Sequence, residues 1–176
     1  MRILIALVAF LLLLDPRLAL AQSNSGSESS QLDGRWHYVF EAGKATDDEC
    51  SRLVDGYLDI VNRKTSFHLY NPWGGFQYRE SFNEDNKLKG HTYSNWGEAN
   101  ISINLSSKYG IGYLYYAGAV PCHSRLILEK GGEVSPQARV FADEAERNRS
   151  EAEKRCLREN FFPASRAFDK CVAGKN

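Results

Sequence analysis

The stretch Leu32-Asp33-Gly34-Arg35-Trp36-His37-Tyr38-Val39-Phe40 decides the fold of this 176-residue chain. Every second residue in its second half, at Trp36, Tyr38 and Phe40, is a large aromatic side chain. This two-residue period is typical of a strand that buries one of its faces. Similar stretches follow at short intervals as far as Lys130, so the sequence predicts a mainly β domain that begins with this strand.

Eight strands are predicted in all, and clusters of Gly, Asn and Pro separate them as turns would. The short spacing favours direct hairpins over helical crossovers. Eight antiparallel strands in meander order can close into a barrel, which removes exposed sheet edges, although a sandwich of two sheets stays an alternative. The predicted strands cover residues 35–41, 57–62, 66–70, 76–82, 87–94, 99–105, 109–116 and 122–130.

The alternation within the strands also predicts which side chains point inward. One predicted strand carries three aliphatic residues in alternation with Asn100, Ser102 and Asn104, which indicates a polar outer face. The predicted inward residues are Leu58, Ile60, Phe67, Leu69, Ile101, Ile103, Leu105, Ile111, Tyr113, Tyr115, Leu126 and Leu128.

Two segments precede the predicted barrel. A basic start, an apolar run over residues 3–14 and the small-residue pattern Ala19-Leu20-Ala21 predict a signal peptide over residues 1–21. The apolar run is too short to span a membrane, so the mature chain is expected to be soluble and secreted or periplasmic. Residues 22–31 are rich in serine and are expected to be disordered.

The composition changes after the predicted barrel domain, residues 32–131, and residues 132–176 read as a helical tail. Ser135-Pro136 is a helix start, and an apolar stripe at helical spacing continues from Ala138 to Cys156. Pro163 is expected to start a short second helix that Gly174 ends. The tail is therefore predicted to form a helical hairpin with a charged outer face, packed on the barrel.

The chain has four cysteines, and an even number in an exported protein favours disulfides. Three pairings are possible. We favour Cys50 with Cys122 and Cys156 with Cys171, because each bridge then stays within one structural unit. Thiolate metal binding is the alternative, but no Cys-x-x-Cys pair is present.

Charge and motifs narrow the functional classes. Basic and acidic residues number 22 each, so no basic field is available for nucleic acid. No nucleophile elbow, His-Glu-x-x-His helix, phosphate loop or dinucleotide fingerprint occurs, so we expect a non-enzymatic protein without a cofactor. Metal binding by His37 and His123 on adjacent strands is a further alternative, but alternation predicts that both point outward, and no metal site is predicted.

Aromatic residues suggest binding. Trp73 and Trp96 lie in turn-forming sequence, and several tyrosines follow the strands. The hypothesis is that the barrel mouth binds a small, partly apolar ligand through Trp73, Trp96, Tyr113 and Tyr115. The alternative is an interaction module, such as an envelope inhibitor or scaffold, that holds another protein with its aromatic loops and charged helix.

Gly34-Arg35-Trp36 at the start of the first strand resembles the Gly-x-Trp signature of lipocalins and the wider calycin group. The resemblance implies that Trp36 closes the barrel floor and that an arginine near the last strand, here Arg125, packs on it. The Thr-Asp-Tyr-like motif of lipocalins is not found in this sequence. The same opening is similar to that of small bacterial periplasmic barrels that inhibit proteases and bind through loops.

Overall fold

The computed structural model describes residues 30–42, 53–71, 74–94, 97–118 and 122–174. Eight strands in these residues confirm the predicted ones, with ends that shift by at most two residues. The strands are β1 (Gly34–Ala42), β2 (Gly56–Val61), β3 (Lys64–Asn71), β4 (Gly74–Ser81), β5 (Lys87–Ser94), β6 (Gly97–Leu105), β7 (Tyr109–Gly118) and β8 (Cys122–Lys130). The helices are α1 (Pro136–Arg147), α2 (Glu151–Arg158) and α3 (Arg166–Val172).

The strands form one antiparallel sheet that curls into a nearly closed barrel. Their order is β4-β3-β2-β1-β8-β7-β6-β5, so the first strand pairs with the last. Next to the β4–β5 turn, the amide of Asn83 donates to the carbonyl of Lys87 over 2.9 Å. Beyond it, β4 and β5 lie side by side without a ladder in the described residues. We call this break in the wall the β4–β5 seam, and the arrangement confirms the predicted barrel.

Trp36 closes one end of the barrel. Its side chain is fully buried, and its indole Nε1 donates to the carbonyl oxygen of Leu32 over 2.8 Å. The carboxylate of Asp33 accepts from the amides of Asn62 and Arg63, at 3.0 and 3.3 Å. Both of these turn residues have positive φ angles, as a two-residue hairpin loop with the twist of its strands requires. The residues around Trp36 thus tie the first strand to the β2–β3 turn.

The helices cover part of the outer face of the sheet. Ser135 caps α1 through its side chain, with Pro136 in the first turn, as predicted. Ala138 and Ala142 of α1 are fully buried and pack against Ile111 of β7 and Ile127 of β8. None of the helices in the described part of the chain is long and apolar enough to span a membrane.

The tail differs from the predicted hairpin of two helices, because the predicted long helix is broken into α1 and α2. Ser150 starts α2 with a capping box, in which its side chain accepts from the amide of Glu153 and the Glu153 carboxylate accepts from the amide of Ser150. This new start ends the first helix. The last helix begins later than predicted, since Ser165 and not Pro163 precedes its first turn.

One predicted disulfide is confirmed. Cys156 of α2 and Cys171 of α3 are bonded, with their Cα atoms 5.9 Å apart, and the bridge joins the two short helices. Cys122 is also disulfide-bonded. Its predicted partner, Cys50, lies outside the described residues, as do the predicted signal peptide and most of the predicted disordered segment.

Gly90 of β5 tests the packing at the seam. A Cβ atom there would lie 2.8 Å from Cδ1 of Tyr78 and 2.9 Å from Cγ2 of Ile101. We expect Gly90→Ala to lower the free energy of unfolding by about 1–3 kcal/mol through overpacking. Urea denaturation measures the change, and Gly132→Ala, where no atom lies within 4 Å of the added group, is the control. Equal stability of the two variants would contradict this packing.

Candidate functional site

The end of the barrel opposite Trp36 receives four of the interstrand connections. The β1–β2, β3–β4, β5–β6 and β7–β8 connections all join strand ends there, as the antiparallel registers require. Trp73 and Trp96 belong to two of these connections and lie outside the described residues. Their contact with a ligand therefore stays a prediction.

Aromatic rings line the barrel interior between its two ends. Phe67 of β3 and Tyr78 of β4 are stacked, with ring centroids 5.3 Å apart. Phe76 of β4 packs against Tyr116 of β7, with ring centroids 5.5 Å apart. Ring pairs at these distances attract one another beyond the burial of their area, so the interior wall is apolar and aromatic.

Three polar side-chain atoms are buried among these rings. The Tyr38 hydroxyl donates to the carbonyl of His68 over 3.2 Å. Within the described residues, the hydroxyls of Thr65 and Tyr78 have no hydrogen-bond partner, and the two residues are only 5% and 1% exposed. A buried hydroxyl without a partner costs about 1–3 kcal/mol, which sets these two apart from ordinary core groups.

A carboxylate lies on the same face of the sheet as these two hydroxyls. Glu80 follows Tyr78 by two residues on β4, so both side chains point to the barrel interior. In the β3–β4 register Glu80 is opposite Thr65, and Tyr78 is opposite Phe67. Glu80 is half-buried. We call Thr65, Tyr78 and Glu80 the interior polar cluster.

The interior keeps its phenols neutral. Burial, together with the negative charge of Asp55, raises the pKa of Tyr38 to about 12. Burial also raises the pKa of Tyr78 well above its ordinary value, and the nearby charge of Glu80 adds to the effect. Both phenols therefore keep their proton throughout the neutral range: that of Tyr38 is donated to His68, and that of Tyr78 can still be donated.

Two predicted ligand contacts lie outside the barrel. Tyr113 faces α1, where its hydroxyl donates to Oε1 of Glu146 over 3.0 Å. The guanidinium of Arg149 lies 4.5 Å from the centroid of the Tyr113 ring. Tyr115 stacks on Phe162, with centroids 6.3 Å apart.

The prediction that the Tyr113 side of β7 points inward is wrong. Gly110, Gly112 and Leu114 occupy the inner face of this strand, and the gap above Gly110 is filled, since a Cβ there would lie 2.3 Å from a methyl group of Leu105. The outer face is apolar too, because it packs under the tail. Tyr113 and Tyr115 therefore do not line the barrel interior.

Arg125 does not pack on Trp36 as the lipocalin resemblance implies. It lies on the outer face of β8, opposite Glu41 in the β1–β8 register, and pairs with Glu41 and with Asp143 of α1, the latter over 2.8 Å. The cation opposite Trp36 is Lys130, whose Nζ donates to the carbonyl of Gln31 over 2.9 Å. Arg125 is structural in another way, since it ties α1 to the barrel.

A cleft of about 380 Å³ lies between β7, β8 and the tail. Tyr113, Arg125, Arg149 and Phe162 are among the residues that line it. The hydroxyl of Tyr113 and the guanidinium of Arg125 already have partners on α1. These two side chains therefore attach α1 to the sheet at this cleft, which Tyr113, one of the predicted ligand contacts, lines.

The histidines are dispersed. His37 accepts from the amide of Val134 over 3.3 Å, and His91 pairs with Glu98 over 2.9 Å. His68 is exposed on β3, and the ring of His123 stacks on Phe162. No group of three His, Cys, Asp or Glu residues that could hold a metal ion occurs in the described ranges.

The eight-stranded meander with a tryptophan at its closed end defines a lipocalin-like fold. No protein-family model matches the chain, and no curated protein matches it in sequence. Among solved structures, the chain is similar to the siderocalin Ex-FABP, with a TM-score of 0.43 and 18% identity over 69% of this chain and 90% of that one.

Two further solved structures are similar at the same level. A deswapped triple mutant of bovine odorant-binding protein gives a TM-score of 0.44 and 14% identity over 68% of this chain and 87% of that one. A dog lipocalin allergen gives 0.40 and 18% identity, over 67% and 86% of the two chains.

The raised phenol pKa values predict a loss of stability in alkali. Below a pH of about 10 the phenols are neutral in the folded and in the unfolded chain, so the free energy of unfolding is at its full value. Above that pH the phenols of the unfolded chain ionise first. The free energy of unfolding therefore falls as the pH rises toward the folded pKa of Tyr38, about 12. Urea denaturation as a function of pH measures this loss. Tyr78→Phe should reduce it, whereas Tyr93→Phe, at an exposed position, should not. An identical pH profile for both variants would contradict the buried position of Tyr78.

Proposed function

We propose that this protein is exported and holds a small, partly apolar ligand inside its barrel, without catalysing a reaction. The observation that carries this proposal is the pair of buried, unpartnered hydroxyls of Thr65 and Tyr78 within an aromatic interior. Ligand sites in proteins combine an apolar wall with a few polar groups that orient the ligand, and an eight-stranded barrel can hold one small molecule.

The leader sequence and the disulfide support export. The Cys156–Cys171 bridge is of the kind that persists in oxidising compartments, which are extracellular or periplasmic. The predicted signal peptide leads to the same compartments. We therefore propose a secreted or periplasmic location.

The interaction-module alternative has weaker support. It relies in part on the charged face of the tail, and Asp143 and Glu146 of α1 bind Arg125 of the barrel instead of facing a partner. Arg139 of α1 likewise pairs with Glu41 of β1. These charges attach the tail to the barrel, so they leave less of the helix surface for another protein.

A neutral fluorophore tests the proposal. N-phenyl-1-naphthylamine should bind the oxidised protein at one molecule per chain, and its emission should rise and shift to the blue as it leaves water. Ala99 is fully buried on the inner face of β6, so Ala99→Leu should fill the interior and weaken binding about tenfold or more.

The matched control is Ala167→Leu, which adds the same atoms at an exposed position of α3. It should bind the fluorophore as the parent does, and circular dichroism verifies that both variants fold. Failure of the parent to bind, or equal binding by Ala99→Leu and the parent, would count against a ligand inside the barrel.

A further inference from the structure

Glu80 occupies an unusual position in the barrel. Its neighbours on the same face are Phe76 and Tyr78 of β4 and Phe82 directly after the strand, all of them buried in the core. Charged side chains are rarely placed on such a stripe unless they have a partner. Within the described residues the Glu80 carboxylate makes no side-chain hydrogen bond and no ion pair, although its charge acts on the buried phenol of Tyr78.

The strands on either side supply no counter-charge. On β3, the side chain opposite Glu80 is the hydroxyl of Thr65. On β5, the inner face carries Leu88 and Gly90 in this region, while Lys87 and Lys89 are exposed on the outer face. In the described part of these strands, the carboxylate thus shares its face with two unpartnered hydroxyls and with no lysine or arginine, and the guanidinium of Arg63 in the β2–β3 turn is bonded to Asn83 and Asn86 of the β4–β5 turn.

Of the interior polar cluster, Glu80 is partly exposed to solvent at the seam, whereas Thr65 and Tyr78 are buried. Cγ of Glu80 lies 3.1 Å from the place that a Cβ of Gly90 would occupy, and Cδ1 of Tyr78 lies 2.8 Å from it. The side chains of Tyr78 and Glu80 therefore extend across the seam and lie over Gly90, which has no side chain to obstruct them. Because β4 and β5 share no ladder here, the carboxylate is reachable without disruption of strand pairing.

The hydrogen-bonding capacity of these three side chains narrows the chemical class of the ligand. An ionised carboxylate only accepts hydrogen bonds, whereas the hydroxyls of Thr65 and Tyr78 can both accept and donate. A primary ammonium group has three donors and a positive charge, which matches one carboxylate and two hydroxyls. A ligand carboxylate at the same place would be repelled by Glu80.

We propose that the ligand of the barrel carries a primary ammonium group, which Glu80, Thr65 and Tyr78 bind at the β4–β5 seam while its apolar body lies among the aromatic rings. This inference rests on the proposed function, because it specifies the ligand of that same interior. The stacked rings of Phe67 and Tyr78 add to the attraction, since aromatic faces favour cations.

Three probes of nearly equal size share a phenyl group and differ in charge: 2-phenylethylamine, 2-phenylethanol and phenylacetate. Their comparison distinguishes the effect of the charge on binding from that of the apolar body. Isothermal titration of the oxidised full chain should rank the amine tightest and the acid weakest. Glu80→Gln should weaken amine binding about tenfold or more, as expected for a charge-assisted hydrogen bond, and should leave the alcohol unchanged. Tyr78→Phe should weaken amine binding by a smaller factor.

Glu84→Gln is the matched control, because it makes the same change at an exposed turn residue four positions away. It should bind the amine as the parent does, and unfolding by urea verifies that Glu80→Gln remains folded. If that variant does not fold, Glu80→Asp replaces it and should weaken amine binding while leaving the alcohol unchanged.

The outcomes separate this inference from the proposed function. Tighter binding of the alcohol or the acid than of the amine, or amine binding that Glu80→Gln leaves unchanged, would overturn the ammonium site. In that case binding of the neutral fluorophore would still support a ligand in the barrel. Absence of binding by all three probes and by the fluorophore would overturn both.

Discussion

The pairing of β1 with β8 determines where the wall of the barrel can break. It extends from Trp36 opposite Lys130 to Ala42 opposite Ser124, and it brings the two ends of the meander together. With that pairing made, a break in the wall can lie only between strands that are already neighbours along the chain. In this protein it lies between β4 and β5, where Gly90 leaves space that Tyr78 and Glu80 cover.

Much of the fold follows from local sequence because strand alternation is strong. The eight strands, the buried face of Trp36 and the start of α1 follow from period and capping, and the Cys156–Cys171 bridge follows from keeping each bridge within one structural unit. The role of Trp36 at the barrel end is implied only by the lipocalin resemblance. The break between α1 and α2 also had a signal, since Ser150 and Glu153 have the spacing of a capping box. The sequence predicts one long helix because the apolar stripe from Ala138 to Cys156 continues across this break.

The inner face of β7 could not be deduced from polarity alone. The tail covers the outer face, so both faces of the strand are apolar, and the outer one has the larger side chains at Ile111 and Tyr113. The inner face has glycines because Leu105 and Leu128 approach the backbone there. The same tail explains Arg125, whose partners on α1 are distant in sequence.

One residue of the candidate site, Glu80, can be recognised in the sequence because it interrupts an alternation of aromatic residues. Phe76, Tyr78 and Glu80 alternate along β4, and Phe82 continues the alternation just after it, so an acid falls on a stripe of aromatic residues. The absence of a partner for it, however, depends on which strands lie beside it. The β3–β4 register places Thr65 opposite Glu80, and Gly90 of β5 lies next to Glu80 across the seam. Neither neighbour can be predicted from local sequence.

The proposed function requires that the protein carry a small organic molecule and not another protein. Native mass spectrometry of the oxidised protein recovered from its own compartment measures what is bound to the chain. We expect one small organic molecule per chain, released when the protein is unfolded in acid, with an accurate mass that fits an amine. A chain recovered without any bound small molecule, or bound only to another protein, would contradict it.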